Sequence, residues 1–201
     1  MANTTRTSPN APTAPRLAGT RFMLRHPAHL LALGFGAGLS PRAPGTVATL
    51  VAWLSYEVLG LYLGAQDLAW LMLAALVLGW WASTLSARHL GVLDPGCIVV
   101  DEIAAFWLVL WVLDPQSWTL GLLAFALFRF FDAIKPGPVA WADRLSHRVD
   151  PQAQAWGWAK IGAGIMFDDY VAAACTLLVI WSIQWAVRLS GAMSGLGAYL
   201  S

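Results

Sequence analysis

Five apolar stretches of roughly bilayer-crossing length dominate this chain, at 45–64, 67–87, 98–113, 118–135 and 168–187. A hydrocarbon core about 30 Å thick is crossed by about 20 apolar helical residues, with roughly 17–25 usual. Inside a bilayer every backbone polar group must be satisfied within the protein, which leaves helices as the form for such stretches. The chain is therefore expected to be all-α, a polytopic transmembrane helix bundle of about five spans. A shorter apolar piece, from His29 to Leu39, precedes them. Its glycines at 34, 36 and 38 weaken a simple helix, so it reads as a short N-terminal half-span or re-entrant helix buried in protein. Composition agrees: 11% of residues are charged, against about 25% in soluble domains. Twelve tryptophans suit the membrane–water interface. Residues 1–28 have no apolar run of the kind a signal peptide carries. They are expected to form a disordered cytoplasmic tail, ahead of a membrane domain over 29–189 and a flexible tail over 190–201.

The basic residues orient the bundle. Arg6, Arg16, Arg21, Arg25 and Arg42 precede the first span, Arg88 follows the second, and Arg144, Arg148 and Lys160 lie between the fourth and fifth. The turns at 65–66 and 114–117 have none, and neither has the tail after Arg188. Lys and Arg accumulate in cytoplasmic loops. The N-terminus is thus expected inside and the C-terminus outside, after five crossings. The net charge of +1 says little, so the distribution of charge matters more than the sum; no nucleic-acid partner is expected. Cys97 and Cys175 form no paired-cysteine motif, and Ile103 stands where a cysteine-phosphatase loop starting at Cys97 would need arginine.

On this topology the charges within the spans gather at one face. Asp101 and Glu102 open the third span, Arg129, Asp132 and Lys135 close the fourth, and Asp168 and Asp169 open the fifth. Charges at such positions are costly and are usually functional or paired. Arg129, Asp132 and Lys135 recur every three residues, so they share about one-third of a helix circumference. Asp101 and Glu102 are about 100° apart, as are Asp168 and Asp169, so one of each pair is expected to point directly inward. Carboxylates held close repel one another unless a cation or protons intervene. Hard oxygen ligands suit Mg²⁺ or Ca²⁺, and Mg²⁺ often shares its shell with phosphate oxygens. Arg and Lys beside them would bind the same phosphate. The set describes a metal-assisted phosphoryl site, against the blander reading of ion pairs pinning helix ends. A cation-coupled transporter would also use intramembrane acids, but along a path and without Arg and Lys among them.

Two loops would complete the site. Residues 34–46 are glycine-rich, with Arg42 as a cation and Thr46 as a candidate cap for the first span. Residues 162–169 place glycines ahead of Asp168, a candidate N-cap, and Asp169.

Taken in order, these blocks resemble the phosphatidylglycerophosphatase A family. The matching residues are His29 to Pro41 with Pro44-Gly45-Thr46; Asp101-Glu102, preceded by Gly96 and Ile98; Phe128-Arg129 through Asp132 to Lys135-Pro136, followed by Pro138, Trp141 and Asp143-Arg144; and Gly164 to Asp168-Asp169. The likeness spans about residues 27–185. It implies a Mg²⁺-dependent lipid phosphatase of the bacterial inner membrane, which converts phosphatidylglycerophosphate to phosphatidylglycerol at the cytoplasmic face. Carried over by position, the acids are Asp101, Glu102, Asp132, Asp168 and Asp169, all candidate metal ligands, with Asp101, Glu102, Asp132 and Asp169 the catalytic candidates. Arg129 and Lys135 would face the phosphate, aided by Arg42 and Thr46. The segment 146–160 and the N-terminal tail are longer than the resemblance leads one to expect.

Overall fold

The structure, a computed structural model, describes residues 18–154 and 156–199. The expected tail therefore lies outside the described residues as far as residue 17. The described elements are all helical: α1 (Thr20–Met23), α2 (Pro27–Ala32), a 3-10 segment (Gly34–Leu39), α3 (Pro44–Gly60), α4 (Ala65–Leu90), α5 (Val100–Leu113), α6 (Trp118–Ile134), α7 (Pro138–His147) and α8 (Gly157–Tyr199).

Local chemistry sets several helix ends. The Ser117 hydroxyl accepts from the Leu120 N–H (3.3 Å) and starts α6. Pro27 occupies the first turn of α2, and His26 Nδ1 accepts from the Ala28 N–H (3.1 Å). Gly91 (φ 73°) closes α4 with its N–H on the Ala87 carbonyl. Lys135 closes α6 in the same left-handed region (φ 49°), which a residue with a Cβ adopts only when its surroundings impose it.

Three expectations are revised. The fifth span does not begin at the acid pair: Asp168 lies about three turns inside the continuous helix α8 and caps nothing. Thr46 is exposed and sits within the first turn of α3, whose cap position is Ala43, so it is not the cap. The turn expected at 65–66 falls at 61–64, and Ala65 and Gln66 are helical. The expected half-span is a broken element, α2 followed by the 3-10 segment, with Phe35 and Gly36 at positive φ. Among the described residues, two helices are long and apolar enough to cross a membrane: Ala65–Leu90 and Gly157–Ser190. The 14-residue α5 rises only about 21 Å.

α4 and α8 pack antiparallel and close. Gly79 lies against Met166 and Gly162 against Thr84, and a Cβ on Gly162 would overlap the Thr84 hydroxyl. Small residues at such contacts let helix backbones approach. α5 runs through the middle, burying Phe106, Val109 and Leu110 against α3, α6 and α8. A second cluster joins α1, α2, the end of α4 and the start of α8. Within it His29 is buried and stacks on Phe22 (ring centroids 4.0 Å). Its Nδ1 lies 2.9 Å from Ser86 Oγ and its Nε2 3.1 Å from His89 Nδ1. Burial, then the neighbouring His89 and His26, lower the His29 pKa to about 4, which leaves the ring neutral.

Candidate metal and phosphate site

The first turn of α5 is held by the end of α2 and by the glycine-rich segment. The Val99 N–H donates to the Ala32 carbonyl (2.8 Å), and Gly38 sits so close to the Cys97 carbonyl that a Cβ there would overlap it. This fixes the residues just ahead of Asp101 and Glu102. From the other side α8 presents Asp169. One carboxylate oxygen from each of Asp101, Glu102 and Asp169 lies within 4.8 Å of the others. Asp101 and Asp169 are buried, and Glu102 nearly so.

Two cations flank this triad, each from the end of α6. Arg129 Nη1 is ion-paired with Asp132, one turn on, stands 3.7 Å from Glu102 Oε1, and donates to the Thr49 hydroxyl at 3.4 Å. Thr49 in turn donates to the Gly45 carbonyl (2.8 Å). α3 meets this group with no room to spare: a Cβ on Gly45 would overlap Glu102 Oε1 and stand 2.9 Å from Arg129 Nη2. Lys135 reaches the other way. Its Nζ pairs with Asp143 of α7 and with Asp168 at 2.6 Å. The left-handed turn at Lys135 aims that ammonium between α7 and α8.

The α5–α6–α7–α8 junction encloses a cavity of about 140 Å³, lined chiefly by acids, among them Asp94, Asp101, Glu102, Asp132, Asp143, Asp168 and Asp169. Lys135 also lines it. With every group ionised, these acids outnumber Lys135 and Arg129 by five charges, an arrangement that strongly favours a bound cation. Among the described residues, four of the six buried side-chain atoms without a hydrogen-bond partner are here: Asp101 Oδ1, Glu102 Oε2, Asp169 Oδ2 and Arg129 Nε. Buried polar atoms are rarely left unpartnered without a functional reason. Oxygen donors of this number and type fit a hard divalent cation.

The expected site residues thus divide. Asp101, Glu102 and Asp169 come together, while Asp132 and Asp168 line the same cavity but are engaged by Arg129 and Lys135. Both members of each adjacent acid pair reach the cavity, where one of each had been expected. Arg42 and Thr46 are exposed, and neither lines the cavity. Sequence reasoning gave no role to Asp94, Asp143, Gly45 or Thr49. Asp143 and Gly45 carried a signal, their places beside Arg144 and Thr46 in two of the matching blocks.

Comparison with known proteins bears on this arrangement. The family model described as phosphatidylglycerophosphatase A matches residues 30–184. The chain is 34% identical to phosphatidylglycerophosphatase A of Escherichia coli (strain K12), covering 83% of this chain and 89% of that protein. It is 35% identical to the Haemophilus influenzae protein of the same name, over 82% of this chain and 93% of the relative. A third relative, from Bacteroides thetaiotaomicron, is 34% identical over 79% of this chain and 94% of its own length, and carries the provisional name of a phosphatidylinositol-3-phosphatase. No solved structure matches the chain.

Proposed function

The chain belongs to the phosphatidylglycerophosphatase A family, and from that premise we propose that it hydrolyses the terminal phosphate of phosphatidylglycerophosphate, with Mg²⁺, at the cytoplasmic face of a bacterial inner membrane. The observation that carries the reading is the buried triad Asp101, Glu102 and Asp169, with Arg129 and Lys135 at its edges. Asp101, Glu102 and Asp169 would hold the ion, with Asp132 and Asp168 close by. When bound, it supplies the positive charge that neutralises phosphate oxygens and sharpens an attacking nucleophile.

The chain's own residues account for the rest. Phosphate-monoester cleavage depends on positioning and on charge neutralisation around an in-line attack. Arg129, steadied by Asp132 and Thr49, offers its unpartnered Nε and guanidinium face to a phosphate oxygen. Lys135, steadied by Asp143 and Asp168, offers a compact ammonium on the opposite side. Asp132 and Asp168 keep both cations from collapsing onto the triad. Ile98 and Ile165 close the cavity with apolar wall, which strengthens every charge interaction within it. Arg42 and Thr46, at the entrance to α3, would meet the substrate outside the cavity. The acyl chains would stay in the bilayer, which α3, α4, α5, α6 and α8 cross with the N-terminus inside. The lengths of α4 and α8 support two of those five crossings directly.

The acids gather at one end of the bundle and do not follow a path through it, which disfavours the transporter. The test is phosphate release by purified full-length protein from phosphatidylglycerophosphate, phosphatidic acid, a phosphatidylinositol monophosphate and a soluble phosphomonoester, with and without EDTA. Phosphatidylglycerophosphate is expected to be cleaved fastest, with loss of turnover in EDTA and recovery on Mg²⁺ addition. Cation flux into liposomes without phosphate release would overturn the reading. Preference for the inositol lipid would move the substrate assignment towards the third relative.

A further inference from the structure

α7 faces two ways. Val139 and Ala142 are fully buried, and Asp143 turns in to Lys135. On the other side Trp141 is 57% exposed and Leu145 41%. Arg144, three residues after Trp141, falls on the same side, and Arg148 follows directly after the helix; both are exposed. Helix α7 is therefore amphipathic, with its outward face carrying both apolar bulk and basic charge.

The exposed strip does not stop at α7. The Trp141 ring meets Phe167 of α8 edge-to-face at 6.1 Å, and Phe167 is itself 41% exposed. Phe167 immediately precedes Asp168, so this aromatic pair lies beside the acid cavity. Further along α8 the exposed apolar side chains continue with Leu178 and Trp181, within the segment long enough to span. The outer face of α7 is thus continuous with the lipid-facing flank of α8.

We infer that α7 lies in the plane of the cytoplasmic leaflet as an interfacial helix, with Trp141, Leu145 and Phe167 in the acyl boundary and Arg144 and Arg148 on the phosphates of acidic phospholipids. The inference rests on the proposed reading of α8 as a crossing helix. Three features name the occupant as an anionic lipid surface. Continuity with α8 puts the strip at the edge of the hydrocarbon. Tryptophan favours that boundary. Two arginines match the negative potential of the inner leaflet, and their stems reach past apolar surface to the headgroups. Because Asp143 occupies the opposite face of the same helix, docking α7 holds the cavity at headgroup depth, where the phosphate of a lipid substrate lies.

The test uses full-length protein in a Cys97→Ala, Cys175→Ala background, with a nitroxide label at one introduced cysteine: Trp141→Cys, Leu145→Cys, Leu178→Cys or Gln152→Cys. After reconstitution into phosphatidylcholine vesicles with and without phosphatidylglycerol, electron paramagnetic resonance compares collisions with oxygen and with a water-soluble nickel chelate. Labels at 141 and 145 are expected to be oxygen-favoured, at about 5–10 Å below the interface. The label at 178 is expected deeper, and that at 152 in water. Depth at 145 should increase with phosphatidylglycerol and lose that dependence when Arg144→Ala and Arg148→Ala are combined. A lipid-buried label at 178 with labels at 141 and 145 as aqueous as at 152 would overturn the inference alone. An aqueous label at 178 would overturn the crossing reading beneath it. Depth at 145 indifferent to phosphatidylglycerol would remove the acidic lipid as partner.

Discussion

Two buried polar clusters among the described residues, one around His29 and one around Asp101, Glu102 and Asp169, differ in how far their atoms are partnered. Around His29 the polar atoms have partners: Nδ1 has Ser86, Nε2 has His89, and the ring is neutral. Around Asp101, Glu102 and Asp169, oxygens of all three acids and the Nε of Arg129 have none among the described residues, and the charges are mostly of one sign. A satisfied cluster adds to the stability of the fold, because each hydrogen bond is complete when the chain folds. An unsatisfied one is held against its own repulsion by the surrounding packing, and a ligand completes it. The same burial thus marks architecture in one place and chemistry in the other.

This contrast can be broken by substitution, starting with the largest effect on turnover. Asp169→Asn or Asp101→Asn should lower phosphate release by about a thousandfold, the scale of losing a principal charge in a phosphoryl site. The same change relieves repulsion, so the metal-free thermal midpoint should stay level or rise. A lowered midpoint would put the triad with the architecture. Saturating Mg²⁺ should raise the wild-type midpoint, by about 2.7 kcal/mol of added stability at a hundred times Kd, and should leave Asp169→Asn unmoved. Next comes Gly45→Ala, which must displace Glu102 or Arg129. Turnover is expected to fall about 10- to 100-fold, the cost of disturbing a ligand's support, with the fold intact by circular dichroism. Arg42→Ala, at an exposed cation, should raise KM by no more than about fivefold, since such charges contribute about 1 kcal/mol at most. Least affected in turnover is His29→Leu. Chemical denaturation should show a loss of about 1–3 kcal/mol from the partners left behind, while each folded molecule cleaves at the wild-type rate. A catalytic defect in His29→Leu that exceeds its loss of folded protein would erase the distinction between the clusters.

How much of this could be read in advance depended on periodicity. Arg129 and Asp132 share a face because three-residue spacing on a helix requires it; Lys135 also reaches the acids, but from the left-handed turn that closes α6. The first four apolar stretches matched α3 to α6 within a few residues, because apolar length marks a helix of this kind. The start of α8 was hidden. Gly162 and Gly164 read locally as loop, but close packing against α4 turns Gly162 into a contact residue of a continuous helix. Partner choice was hidden as well. No spacing rule says that Lys135 pairs with Asp168 while Asp169 stands with Asp101 and Glu102, because that depends on where α7 delivers Asp143. Thr46 looked like a cap because its residue type suits one, yet the backbone turns three residues earlier, at Ala43.

The continuity of α8 has a mechanical consequence. Asp168 and Asp169 are neighbours on one stiff rod, facing two different partners. Any rotation of that rod moves both carboxylates together, so the acid triad and the lysine pair are geared to each other. Deleting a single residue between Ile161 and Asp168 would turn the downstream helix by about 100°, putting Asp169 where Asp168 met Lys135 and Tyr170 where Asp169 joined the triad. The length of that segment, of which Ile165 alone lines the cavity, is thereby fixed to the residue.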